Sequence, residues 1–354
     1  MKKQHIIISI AAGLCLLLAI AAWGGFRFYQ MRYVSAIDEG KWLYIDSDDN
    51  RDSLLARLST IIDTEMIQVV KMACRHENTF DRVDARRSVG AYFLHTGSTP
   101  TEIARRIKTG LQTPVSLTFN NIRTKEELCR RVAQQLMVDS AALHRSLSDP
   151  ELCHAIAESD TTNITSIFFP DTYEVYWTTS PEELMKRMKR EYDRFWTPER
   201  LTKVQKLKIT PQEASIIASI AEEETQDRAE RGVVARLYWN RIQRRMPLQA
   251  DPTVKYALGD FSIKRVLTSH LQIKSPYNTY RVQGLPPGPI RIAEKATIDA
   301  LLNSAPHPYI YMCAKEDFSG RHNFATTLAQ HNRNAQRYHA ALNRLNRQKK
   351  KNGK

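Results

Sequence analysis

The stretch Ala214-Ser-Ile-Ile-Ala-Ser-Ile-Ala221 runs straight into three acids, Glu222, Glu223 and Glu224, and its reading decides how the second half of the chain folds. Ala214, Ile217, Ile220 and Ala221 recur at helical spacing, so the run is a helix with an apolar stripe. At about 100° per residue Glu224 falls near the centre of that stripe, while Glu222 and Glu223 rotate towards its flanks. Three glutamates at a helix end read first as a solvated face. A carboxyl on the apolar stripe reads differently. Burial disfavours its ionised form, and the last turn sets it near the negative end of the helix dipole, so both effects raise its pKa. A carboxyl protonated near neutral pH is what a general acid requires.

Working outward, a second helix spans about 228–245 and stops before Pro247. Asn240 and Arg241 lie beside its packed face and lead into Leu248-Gln-Ala-Asp-Pro-Thr-Val254. Their donors suit sugar hydroxyls or a peptide carboxylate, or equally the bracing of that turn. Ser275-Pro-Tyr-Asn-Thr-Tyr280 and Gly284-Leu-Pro-Pro-Gly-Pro289 combine stiff prolines with flat tyrosines, as a sugar-binding cleft wall or a structural loop does. A helix over about 294–303, a strand over 309–314 and a last helix through Arg344 complete the body. Residues 345–354 read as a solvated basic tail.

Upstream, Lys41 to Asp46 reads as a strand and 54–74 as two short helices. Thr99 as N-cap, Pro100 and Glu102 open a helix that closes at Gly110, and Thr124 with Glu127 repeats the capping box for a helix through Leu136. With extended segments at 89–94 and 115–119, residues 85–140 read strand, helix, strand, helix. The fold class expected is α+β.

The chain has 354 residues, enough for two or three domains, and 52 Lys and Arg against 38 Asp and Glu, a net charge of +14. That field favours an anionic partner such as nucleic acid, anionic lipid or a peptide-bearing wall glycan. Ile6 to Phe26 is an apolar segment long enough for one membrane crossing; a cleaved signal peptide is the rival reading, and Trp23-Gly-Gly-Phe26 offers no small-x-small site. Lys2 and Lys3 lean towards a cytoplasmic N-terminus and an exported body, which disfavours nucleic acid. Cys74, Cys129, Cys153 and Cys313 show no zinc spacing and read as buried thiols or, on export, as disulfide partners. No metal or other cofactor is implied.

Seven ordered segments, namely Phe169-Pro-Asp-Thr-Tyr173, Ala218 to Thr225, Asn240-Arg241, Leu248 to Val254, Ser275 to Tyr280, Gly284 to Pro289 and Asn323-Phe-Ala-Thr-Thr-Leu-Ala-Gln-His-Asn332, together resemble the MltG, or YceG-like, family of membrane-anchored endolytic murein transglycosylases. The resemblance implies a cytoplasmic N-terminus (1–5), a membrane anchor (6–26), a membrane-proximal segment (27–84), a LysM-like unit (85–150), a catalytic domain (151–344) and the tail (345–354). It implies non-hydrolytic cleavage of the N-acetylmuramic acid to N-acetylglucosamine β-1,4 bond, a 1,6-anhydro product, peptidoglycan as partner, and wall synthases of the penicillin-binding class alongside. The setting is the inner membrane with the body outside the cytoplasm. The family's catalytic glutamate precedes a threonine and falls on Glu224, which the resemblance implies acts first as acid to the glycosidic oxygen and then, ionised, as base to the C6 hydroxyl. Asn240, Arg241, Gln249, Asp251, Asn278 and Tyr280 are the expected substrate-positioning residues. Departures are Glu223 for the family's usual lysine, Ala250 for its threonine, and Arg321 with Asn323 within its Gly-His-Thr-Phe pattern. A hydrolase using Glu224 and Asp251, or a non-catalytic wall-binding protein, are the alternatives.

Overall fold

The structure, a computed structural model, describes residues 2–352. The chain divides into two compact units. The first holds the chain up to Leu117 with Gln135–Met137 and Tyr173–Thr179; the second holds Thr118–Gln134, Val138–Thr172 and the chain from Ser180 onward.

Helix α1 (Lys2–Tyr33) carries its apolar side chains exposed from Ile6 to Phe26. It is the one described helix long and apolar enough to cross a membrane. The first unit continues with β1 (Lys41–Ile45), α2 (Arg51–Ser59), α3 (Thr64–His76), α4 (Thr79–Asp84), β2 (Gly90–Leu94) and α5 (Pro100–Thr109). Strands β1 and β2 pair antiparallel, with Lys41 opposite Leu94 and Ile45 opposite Gly90. One core gathers Leu43, Leu54, Val69, Tyr92 and Ile103, so β2 and α5 pack with what precedes them. The end of α1 joins that core through buried Met31, whose carbonyl accepts from Thr101 Oγ1 at 2.9 Å. Helix α5 begins as its sequence signals: Thr99 and Glu102 form the reciprocal box, Pro100 opens the helix, and Gly110 closes it at φ 67°.

Strand β3 (Val115–Phe119) leads on to α6 (Lys125–Ala133), α7 (Ser140–Ser146), α8 (Pro150–Ala157) and β4 (Asp171–Val175), which pairs with β3. The box expected at α6 is only half made. Thr124 Oγ1 accepts from Glu127 N, but the Glu127 carboxylate turns to Arg123 N at 2.9 Å, and the helix ends at Ala133 rather than Leu136.

The second unit goes on through α9 (Pro181–Phe195), α10 (Pro198–Leu207), α11 (Pro211–Glu224), α12 (Arg231–Gln243), α13 (Asp251–Leu258), α14 (Lys295–Leu302), β5 (Tyr311–Ala314), β6 (His322–Ala325) and α15 (Leu328–Asn352). Strands β5 and β6 form an antiparallel hairpin with Ala314 opposite His322. Helix α11 is the centre of the unit: α10, α12, α13 and α14 pack around it, and every residue from Ala214 to Glu222 is buried. The single apolar stripe expected from helical phase is therefore a helix buried on all sides, the pattern of a core helix rather than an amphipathic one.

The stretch read as a solvated tail is helical as far as Asn352, continuing α15. Cys74, Cys129 and Cys153 are free and buried, and Cys313 is free and half-buried.

Candidate active site

Helix α11 stops at Glu224 because Thr225 turns extended, at φ −135° and ψ 133°. The chain end of a buried helix thus delivers a half-buried carboxyl to a cavity of about 270 Å³. From α12, Tyr238 Oη donates to Glu224 Oε1 at 2.8 Å. Burial pushes the Glu224 pKa up to about 7; the Tyr238 hydrogen bond opposes that, the Asp251 charge adds to it, and Lys255 and Arg241 pull it back. The carboxyl is thereby poised to give or take a proton near neutrality.

The two preceding glutamates serve a different purpose. Glu222 is fully buried, with its Oε2 3.0 Å from Arg291 Nε and its Oε1 accepting the Glu294 N–H at 2.7 Å. Helical phase had placed it on a flank; packing by α14 on that side buries it instead. Burial also raises its pKa, against the pull of Arg291. Glu223 accepts from Arg123 Nε at 2.9 Å and Nη2 at 3.1 Å, and from Arg291 Nη1 at 3.0 Å. These arginines lock the last turn of α11 and so hold Glu224 in place.

Five of the seven residues expected from sequence surround one cavity. Glu224, Arg241, Gln249, Asp251 and Tyr280 line it, while Asn240 and Asn278 do not. Asn240 Nδ2 donates to the carbonyls of His307 at 2.7 Å and Tyr309 at 2.9 Å, fastening the approach to β5. Asn278, fully buried, donates to Leu271 O and Ile273 O at 2.9 Å and accepts from Tyr280 N. Its amide shapes the loop from which Tyr280 reaches the cavity. Arg241 shares both roles, donating to Ile310 O at 2.7 Å and Leu248 O at 2.7 Å while lining the cavity. Tyr280 Oη donates to Asp251 Oδ1 at 2.6 Å, and Asp251 is the first residue of α13. Gln249 is exposed at the rim with a left-handed φ of 50°, a strained backbone of the kind found where a side chain must be aimed. Among the described residues no group of His, Cys, Asp and Glu could hold a metal.

The YceG-like family model matches residues 43–337. This chain belongs to the YceG-like family. It is 36% identical over 176 residues to an endolytic murein transglycosylase of Bacillus subtilis, a match covering 49% of this chain and 48% of the relative. It is 30% identical over 180 residues to an endolytic murein transglycosylase of Streptococcus pneumoniae, covering 49% of this chain and 32% of the relative. The chain thus spans about half or less of the curated relatives it matches. A crystal structure of a YceG-like protein from Listeria monocytogenes superposes with a TM-score of 0.55 at 22% identity, covering 83% of this chain and 98% of that one, and shows the α+β fold.

In this YceG-like chain the departure at Glu223 leaves the Glu224 carboxyl largely alone, because Arg123 and Arg291 absorb the extra charge. Asp251 across the cavity is the acid that raises Glu224 further. The Pro-rich loop of this family member packs elsewhere: Asn163 Nδ2 donates to Pro287 O at 2.9 Å, and Leu285, Pro286 and Pro287 line a separate cleft. Sequence reasoning passed over Tyr238, the direct partner of Glu224, and His322 with its partner Glu230. Tyr238 was within reach of a helical reading, since it shares α12 with Asn240 and Arg241. His322 enters from a strand far along the chain, and only the β5–β6 pairing brings it to the cavity.

Proposed function

We propose that this protein is a membrane-anchored endolytic murein transglycosylase that cleaves the β-1,4 bond from N-acetylmuramic acid to N-acetylglucosamine without water. The observation that carries the reading is Glu224, a carboxyl raised to about 7 at the wall of a polar cavity. Protonated, it gives its proton to the bridging oxygen; the C6 hydroxyl of the muramic sugar then attacks the anomeric carbon, its own proton passing to a base of the site, and a 1,6-anhydro end results. Arg241, Gln249 and Tyr280 orient the sugar, and Asn240 and Asn278 act through the loops they brace. The names of the relatives support the substrate class.

Helix α1 serves as a single inner-membrane anchor, with the body outside the cytoplasm and wall synthases as neighbours while glycan strands are being ended. The LysM-like reading of residues 85–150 rests on the resemblance. A cleft of about 790 Å³ in the second unit carries Arg123, Arg228 and Lys295 on its walls, each already facing a carboxylate, Glu223, Glu294 and Asp171 in turn.

Digestion of purified peptidoglycan by the full-length protein in detergent, with mass analysis of the products, tests the reading. Anhydro-muramic ends from wild type and none from Glu224→Gln support it. Free reducing ends would assign the chemistry to a hydrolase, with Asp251 on the same cavity as its second carboxylate.

A further inference from the structure

Strand β6 brings one more titratable group to the cavity that Glu224 lines, the imidazole of His322. Its place opposite Ala314 in the hairpin sets the face on which it projects. Glu230, the residue before α12, grips it twice: Oε1 accepts the His322 backbone N–H at 3.0 Å and Oε2 lies 3.0 Å from Nδ1. An ionised carboxylate only accepts, so this contact selects, for a neutral ring, the tautomer with its proton on Nδ1 and its lone pair on Nε2. Among the described residues Nε2 has no hydrogen-bond partner, and the His322 side chain is 14% exposed. Next to it, Arg321 Nε bonds Asp227 Oδ2 at 2.8 Å and ties the same strand to the same loop, so the ring is held on both sides of its attachment.

A carboxylate-oriented imidazole with one free nitrogen on a cavity wall is the arrangement of a general base. We propose that His322 is a second catalytic residue of this site: after Glu224 has given its proton to the departing oxygen, the His322 Nε2, rather than the ionised Glu224, takes the proton of the attacking hydroxyl. The proposal rests on the transglycosylase reading above. The bond from the anomeric carbon to the bridging oxygen breaks first and leaves an oxocarbenium-like centre; the C6 oxygen, on the same β face as the departed oxygen, then bonds to that carbon. The hydroxyl proton ends on Nε2 and the Glu224 proton on the leaving oxygen. Solvent then carries a proton from the imidazolium back to the carboxylate, which restores both groups. Glu230 stabilises the imidazolium in the interval. With the second proton taken by the imidazole, the ionised Glu224 stays beside the positive charge on the anomeric carbon.

The full-length protein in detergent, acting on purified peptidoglycan with anhydro ends counted by mass spectrometry, tests this. His322→Gln is expected to lower kcat by about 10²–10⁴-fold with KM little changed, and added imidazole is expected to restore part of the rate of His322→Ala. A His322→Gln rate equal to wild type overturns the proposal. So does a folded, inactive His322→Ala that imidazole does not revive, because that is the behaviour of a structural residue. If neither variant folds, Glu230→Gln decides: it keeps the ring but loosens its tautomer, and at an unchanged melting temperature a loss of at least about tenfold supports the role while an unchanged rate overturns it. Wild type yielding only free reducing ends overturns the transglycosylase reading itself, an outcome distinct from any failure of the His322 variants alone.

Discussion

Burial of the Glu224 carboxyl links folding to protonation. Its folded pKa of about 7 lies above the ordinary 4.5, so between those values the folded chain binds more protons than the unfolded one, and stability falls as pH rises. Glu224→Gln removes the titration. The variant should match wild type in thermal melts near pH 4 and exceed it near pH 8 by up to about 3 kcal/mol. Activity follows the same group: an acid that must be protonated loses rate above about pH 7. The Tyr238 hydroxyl favours the carboxylate, so Tyr238→Phe should raise the Glu224 pKa and move the alkaline limb of the pH-rate profile upward. A limb that moves downward would contradict this account of the site.

At the scale of elements, the end of α11 depends on Arg291, which reaches both Glu222 and Glu223. Arg291→Met leaves Glu222 buried without its cation and should cost about 3–5 kcal/mol in a denaturant melt. Adding Glu222→Gln should recover most of that loss, since the pair rather than the arginine alone is what burial demands. These elements show what a sequence can and cannot reveal. The start and stop of α5 were readable because Thr99, Pro100, Glu102 and Gly110 act within one turn of themselves. Glu224 was readable because a glutamate beside a threonine on a buried helix is both a chemical oddity and a family mark. Glu222 was not, because phase locates a stripe only when one side of the helix faces water, and α11 has no such side. Asn240 and Asn278 look like ligand-binding amides in sequence, yet their partners are carbonyls that only the folded loops bring near. His322 was passed over although the Gly-His-Thr-Phe pattern runs through it, because the departures at Arg321 and Asn323 drew the reading and no local feature tells of a cavity formed by distant helices.

For the molecule as a whole, α1 is long, apolar and exposed to Phe26, yet its end is part of the first unit through Met31. The full chain should therefore sediment with membranes and need detergent for extraction. A chain beginning at residue 27 should be soluble and keep Met31 in place. One beginning at residue 34 loses that side chain and the Thr101 bond, and should melt earlier by about 2–5 kcal/mol. The thiols of the body differ among themselves in a way that has practical weight. Burial lifts Cys74 to about 12 and Cys129 to about 11, which leaves them inert; it raises Cys313 as well, but that thiol is half-buried on the very wall that Glu224 occupies. Once the body is treated with an alkylating reagent at mildly alkaline pH, the adduct should settle on Cys313 and fill the cavity, so that occupancy of the site becomes countable as the mass of one modified peptide.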